Sequence, residues 1–137
     1  MDINQAKSEL FSYIKIYNEL QAKKERHAEL KQQLYALKLY RNSEKVACSN
    51  LPSDTIETLI DKMAVLETAI SEGIYKLASE AERISIKINK LNYPFSEVLM
   101  RRYIKLERFE KIAAELNYSW RQTMRLHLGA LKKYSEI

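Results

Sequence analysis

Met63, Ile70, Leu77, Ile84 and Leu91 stand seven residues apart. Ile60, Ile74, Ala81 and Ile88 form a second row in the same stretch, broken only by Glu67. A seven-residue apolar repeat held over more than four heptads belongs to a long helix that buries one stripe against another helix. From Thr55 to Leu91 such a helix is roughly 55 Å long at 1.5 Å per residue. A rod of that length cannot hide its stripe alone, so the rest of the chain must supply a partner.

The first forty residues supply a candidate. Ile3, Ala6, Leu10, Tyr13, Tyr17 and Leu20 alternate by three and four, and the stripe resumes as Leu30, Leu34 and Leu37 after a break at KKERHAE. This predicts a first long helix over Asp2 to Leu39. YRNSEKVACSNLPSDT keeps no period and clusters Asn, Ser and Pro, as a connector does. Asp54, with Glu57 three residues on, is the expected cap of the second helix. The two helices are expected to fold back on one another as an antiparallel hairpin, with apolar surface left over for a second copy of the chain.

Pro94 in LNYPFSE ends the rod, because the residue before a proline is pushed out of helical geometry. Three shorter helices follow: Pro94 to Ile104, Arg108 to Leu116, and Ser119 onwards. With two glycines and two prolines in 137 residues and no alternating β-branched run, the fold class is all-α. The expected division is a helical hairpin over 1–91, for oligomerisation or protein contact, and a DNA-binding domain over 92–137.

Charge sharpens the division. The formal net charge is +5, and the last 46 residues hold nine basic against five acidic side chains. A concentrated basic region is the electrostatic footprint of a nucleic-acid binder. In FEKIAAELNYSWRQTMRLHL, Ile112, Ala113 and Leu116 point inward and Asn117 sits where the chain must turn sharply. Ser119 then caps the next helix. That helix is expected to turn Thr123, Leu126 and Ala130 inward and Trp120, Arg121, Met124 and Arg125 outward, with Gln122 alongside. This is the grammar of a helix-turn-helix, whose second helix presents its first turns to base edges in the major groove. Arg grips guanine and Gln grips adenine in a bidentate way. Arg108 and Lys111, on the preceding helix, are the expected phosphate contacts.

VLMRRYI, FEKIAAELNYS and RLHLGALKKY together resemble sigma factor region 4. The closer resemblance is to small sigma-region-4-like proteins of phages and prophages, akin to the RinA and ArpU late-gene regulators. Tyr118, Ser119, Arg121, Gln122, Arg125, Leu126, His127, Ala130 and Leu131 carry it. The chain departs from the pattern at Asn117, Trp120, Thr123, Leu128 and Gly129. The resemblance implies a transcription regulator binding double-stranded DNA in a bacterial host cytoplasm. One recognition helix buries little surface, so a dimer, or RNA polymerase as a further partner, is expected alongside. Two other classes fit the same residues: a small terminase-like packaging subunit, and a coiled-coil adaptor that binds only protein.

No enzyme is expected. The two histidines, His27 and His127, have no carboxylate pair at ligand spacing, no glycine-rich phosphate loop occurs, and no cofactor is called for. His127 is expected to pack or to touch a phosphate. Cys48, the single cysteine, is expected to be a spectator in a reducing compartment. The polar N-terminus lacks the character of a signal peptide, and no apolar stretch approaches the ~18 residues of a membrane span.

Overall fold

Good helix formers with few breakers leave the chain little choice of local structure, and every regular element among the described residues is a helix. The structure is a computed structural model that describes residues 1–42 and 53–137. Cys48 and most of the connector lie outside them, as does the side chain of Asp54 with its expected cap. The helices are α1 (Ile3–Arg41), α2 (Ser53–Ile88), α3 (Phe95–Leu99), α4 (Phe109–Leu116) and α5 (Trp120–Ser135). A π-helical turn, Met100–Ile104, continues α3, where the sequence suggests a single α-helix to Ile104. α1 opens on a reciprocal cap: the Gln5 amide donates to the Asp2 carboxylate at 2.7 Å, and the Asp2 amide donates to the Gln5 side chain at 3.0 Å. Lys38 and Arg41 in its last turn face the negative end of the helix dipole. Among the described residues no helix is long and apolar enough to cross a membrane.

By contact the chain forms two compact units, residues 18–75 and residues 1–17 with 76–137. In the first, Leu20 and Leu30 of α1 and Ile56 and Leu59 of α2 are buried. His27 Nε2 lies 3.0 Å from the Glu67 carboxylate, and Leu20 meets Gly73, so the two segments run in opposite directions. Here the second apolar row differs from the sequence expectation. Ile60 and Ile74 are 45% and 49% exposed, and the inner row is Leu59, Leu66 and Gly73, one position earlier. A Cβ at Gly73 would stand 3.0 Å from Leu20 Cδ1, so the missing side chain leaves room for Leu20 on that row. Glu67, a break in the expected row, is a flank residue paired with His27.

In the second unit one apolar core gathers Ala6 and Leu10 of α1, Ile84 and Ile88 of α2, Leu99, Tyr103, and Ala130, Leu131 and Tyr134 of α5. A polar cluster flanks it. The Glu9 carboxylate accepts from Lys87 Nζ at 2.7 Å and from Arg83, and Ser12 Oγ donates to Glu80 at 2.8 Å. Burial pushes the Glu9 carboxyl up, but the hydrogen bonds from Lys87 and Arg83 outweigh it and hold the group below its ordinary value.

Leu59 and Ile60 separate the two registers of α2. Leu59→Ala should cost about 2–4 kcal/mol in urea unfolding, as a buried truncation does. Ile60→Ala should stay within about 0.5 kcal/mol of the parent. Equal losses would restore the register that the sequence suggests.

Candidate nucleic-acid interface

The approach to α4 is fixed by one arginine. Arg101 Nε donates to Glu97 at 2.7 Å, and its guanidinium also reaches Glu107 at 3.3 Å and Glu115. Hydrogen bonds donated to Glu97 and Glu115 raise the Arg101 pKa above its ordinary value. The network ties α3, the 105–108 segment and α4 to one another. Arg102 lies 4.3 Å from the centre of the Phe109 ring and donates to the Glu107 carbonyl at 3.2 Å. Within the segment Leu106 adopts a left-handed backbone, φ 57°, a costly state for a residue with a Cβ.

α4 buries Ile112 and Ala113 and stops at Asn117, whose φ of 60° and ψ of 39° are left-handed. The Tyr118 amide donates to the Ala113 carbonyl at 2.9 Å and the Asn117 amide to Ala114 at 3.4 Å. This is the two-bond Schellman closure, in which asparagine stands where glycine is commonest. α5 begins at once. Ser119 Oγ accepts from the Gln122 amide at 3.1 Å, and the Gln122 side-chain carbonyl accepts from the Ser119 amide at 3.2 Å. The capping box therefore engages one end of the Gln122 side chain.

Thr123 is fully buried, and its hydroxyl donates to the Ser119 carbonyl at 2.9 Å, so the polar atom costs little inside. Gly129 lets α5 approach Phe95: a Cβ there would stand 3.1 Å from Phe95 Cε1. An aromatic cluster joins α4 and α5 to the π-helical turn. Phe109 meets Trp120 edge-on at 6.1 Å and His127 at 4.9 Å, and Tyr103 stacks on His127 with its hydroxyl 2.7 Å from Nε2. Burial, then the charges of Lys7 and Arg102, push the His127 pKa down to about 4. A neutral, half-buried ring makes His127 a packing residue with no charge to offer a phosphate at neutral pH.

The expected site residues divide by environment. Arg121 and Arg125, four apart and therefore on one face of α5, are exposed and make no side-chain ion pair among the described residues. Arg108, at the start of α4, is likewise exposed and unpaired among them. Trp120 is 51% exposed, with one side on Phe109, and Met124 is half-buried. Lys111 differs: its exposed ammonium stands 3.6 Å from Glu107 and 3.9 Å from Glu115, long pairs that hold it weakly. Beside Arg125 and Gln122, Leu126 and, from the preceding turn, Tyr118 complete a cleft of about 210 Å³. Tyr118 was not among the expected site residues, and only the folded turn brings it beside Arg125. Among the described residues no three His, Cys, Asp or Glu side chains group where they could hold a metal ion.

Ser119→Ala should cost about 1 kcal/mol by removing the cap, while Gln122→Glu keeps the box and the stability. His127 predicts a pH dependence. Its folded-state pKa lies below the ordinary ~6.5, so on acidification the unfolded chain takes up the proton first. The stability is complete above about pH 6.5 and falls as the pH drops towards 4. Between pH 7 and 5 the parent should lose roughly 1 kcal/mol more than His127→Gln in guanidinium unfolding, allowing for solvent screening of a half-buried ring. Parallel curves would place the His127 proton elsewhere.

Comparison with known proteins yields no match: no family model, no curated protein and no solved structure pairs with this chain.

Proposed function

We propose that the chain is a sequence-specific DNA-binding transcription regulator of phage or prophage type. In this reading α4 and α5 form a helix-turn-helix resembling sigma factor region 4, and α1 and α2 form an antiparallel coiled-coil hairpin that holds two copies together. The observation that carries it is the state of Arg121 and Arg125. Two exposed guanidiniums without carboxylate partners among the described residues stand on the first turns of a helix whose N-terminus is tightly capped and whose opposite face is buried. Arg83 and Arg101, by contrast, are held by glutamates inside the fold. Charges left unpaired on one rigid face suit a polyanion that approaches from outside.

The roles then follow from position. Arg121 and Arg125 read base edges, with Trp120 and Met124 making apolar contact with sugar or a thymine methyl. Ser119 and Gln122 set the angle at which the helix enters the groove. Arg108 binds phosphate, and Lys111 does so after letting go of Glu107 and Glu115. One such helix buries little surface, so useful affinity requires a second copy or RNA polymerase alongside.

Two substitutions should fail in different ways. Arg121→Ala should cost roughly 1–3 kcal/mol on the cognate duplex and relax preference at one base pair. Arg108→Ala should weaken all sequences about equally and lower the slope of log affinity against log salt by about one. The measurement is affinity for a duplex selected from a random pool and for its scrambled form, across a salt series. An unchanged cognate-to-scrambled ratio for Arg121→Ala removes sequence reading from α5. No salt-dependent duplex binding at all leaves the protein-only adaptor.

A further inference from the structure

We infer that a groove along one side of the α1–α2 pair within residues 18–75 is the contact face for a second copy of this chain. The groove has a volume of about 490 Å³ and is lined by Arg26, Leu30, Asp61, Lys62, Val65 and Leu66 among others. Leu30 is buried and Leu66 half-buried, whereas Val65 is 69% exposed. An apolar side chain that far out, beside a groove with leucines at its base, has the geometry of a knob without a hole.

Charge selects the occupant. Between residues 18 and 41, α1 carries six Lys or Arg against three Glu. Between residues 55 and 75, α2 carries four Asp or Glu against one Lys. Over these segments α1 is thus the basic helix and α2 the acidic one, and at the groove Arg26 stands on α1 with Asp61 and Lys62 on α2. A two-fold axis parallel to the helices lays α1 of each copy over α2 of the other, so a basic helix meets an acidic one twice. A foreign helix of single sign would match one helix and repel the other. Asp61 and Lys62 make no ion pair among the described residues, and Arg26 makes only an exposed one with Glu29 at 3.3 Å. The size also suits. Two helices about 32 Å long and about 10 Å wide offer roughly 600 Å² in projection. That approaches the ~800 Å² per partner of a standard stable interface.

The inference gives a location to the dimer of the preceding reading and does not need DNA binding, so the test contains no DNA. Sedimentation equilibrium of the full chain should give twice the chain mass. Val65→Asp should reduce it to the chain mass with an unchanged helical circular dichroism spectrum, because an exposed side chain carries little of the fold. Ile74→Asp, on α2 but outside the groove, should leave the dimer intact and so excludes a general effect of added charge. The parent dimer should also weaken as salt rises. A monomeric parent overturns the inference and leaves the groove to another protein. A Val65→Asp chain that stays dimeric, or an Ile74→Asp chain that falls apart, overturns it too and moves the contact to a different face.

Discussion

α3 has five residues and α4 has eight, far below the ~12–15 at which an isolated helix holds together in water. Their stability must come from burial: α4 buries Ile112 and Ala113, and α3 enters a core to which the ends of the long helices contribute alongside α5. Leu10, Ile84, Ile88, Leu99, Tyr103 and Tyr134 are each almost fully buried in the same cluster. Remove the α1 and α2 side chains from this set and the faces of α3 and α5 that hold Leu99, Leu131 and Tyr134 lie open to water. The exposed arginines of α5 owe their fixed orientation to this shared core, and so does every functional role assigned to them.

The polar chemistry of this unit serves the same end. Glu9, Arg83 and Lys87 join the two long helices, and Arg101 with its three glutamates joins the short ones. Each network uses its charges internally. The contrast with Arg108, Arg121 and Arg125 separates structural cations from those available to a ligand, a distinction that net charge alone does not make.

Much of this was legible in the residues, and the limits were physical. The row from Met63 to Leu91 and the caps at Asn117 and Ser119 rest on local rules, which depend on neighbours a few positions away. The second row of α2 holds at Ala81 and Ile88 but not at Ile60 and Ile74, where Gly73, with no apolar side chain to mark it, is the residue against which Leu20 packs. Beyond the Glu97–Arg101 pair, four residues apart, the Arg101 network, the left-handed Leu106 and the ring stack around His127 depend on tertiary geometry, and no spacing in the chain announces them. At the candidate site, Gln122 was expected beside the arginines as a reader of bases. Its tie to the Ser119 amide shows that the spacing which makes a capping box also consumes one of its hydrogen-bonding groups.

The turn between α4 and α5 has a consequence for how the chain can vary over descent. From Ala113 to Gln122 the closing amides of one helix and the capping groups of the next are bonded in sequence, with no slack residue between them. One inserted or deleted position here would break the Tyr118–Ala113 closure or the Ser119–Gln122 box, each of which depends on a fixed count of residues. The length of this turn is thereby fixed by its own hydrogen bonds, whereas Arg121 and Arg125, exposed just beyond it, can change without disturbing either cap.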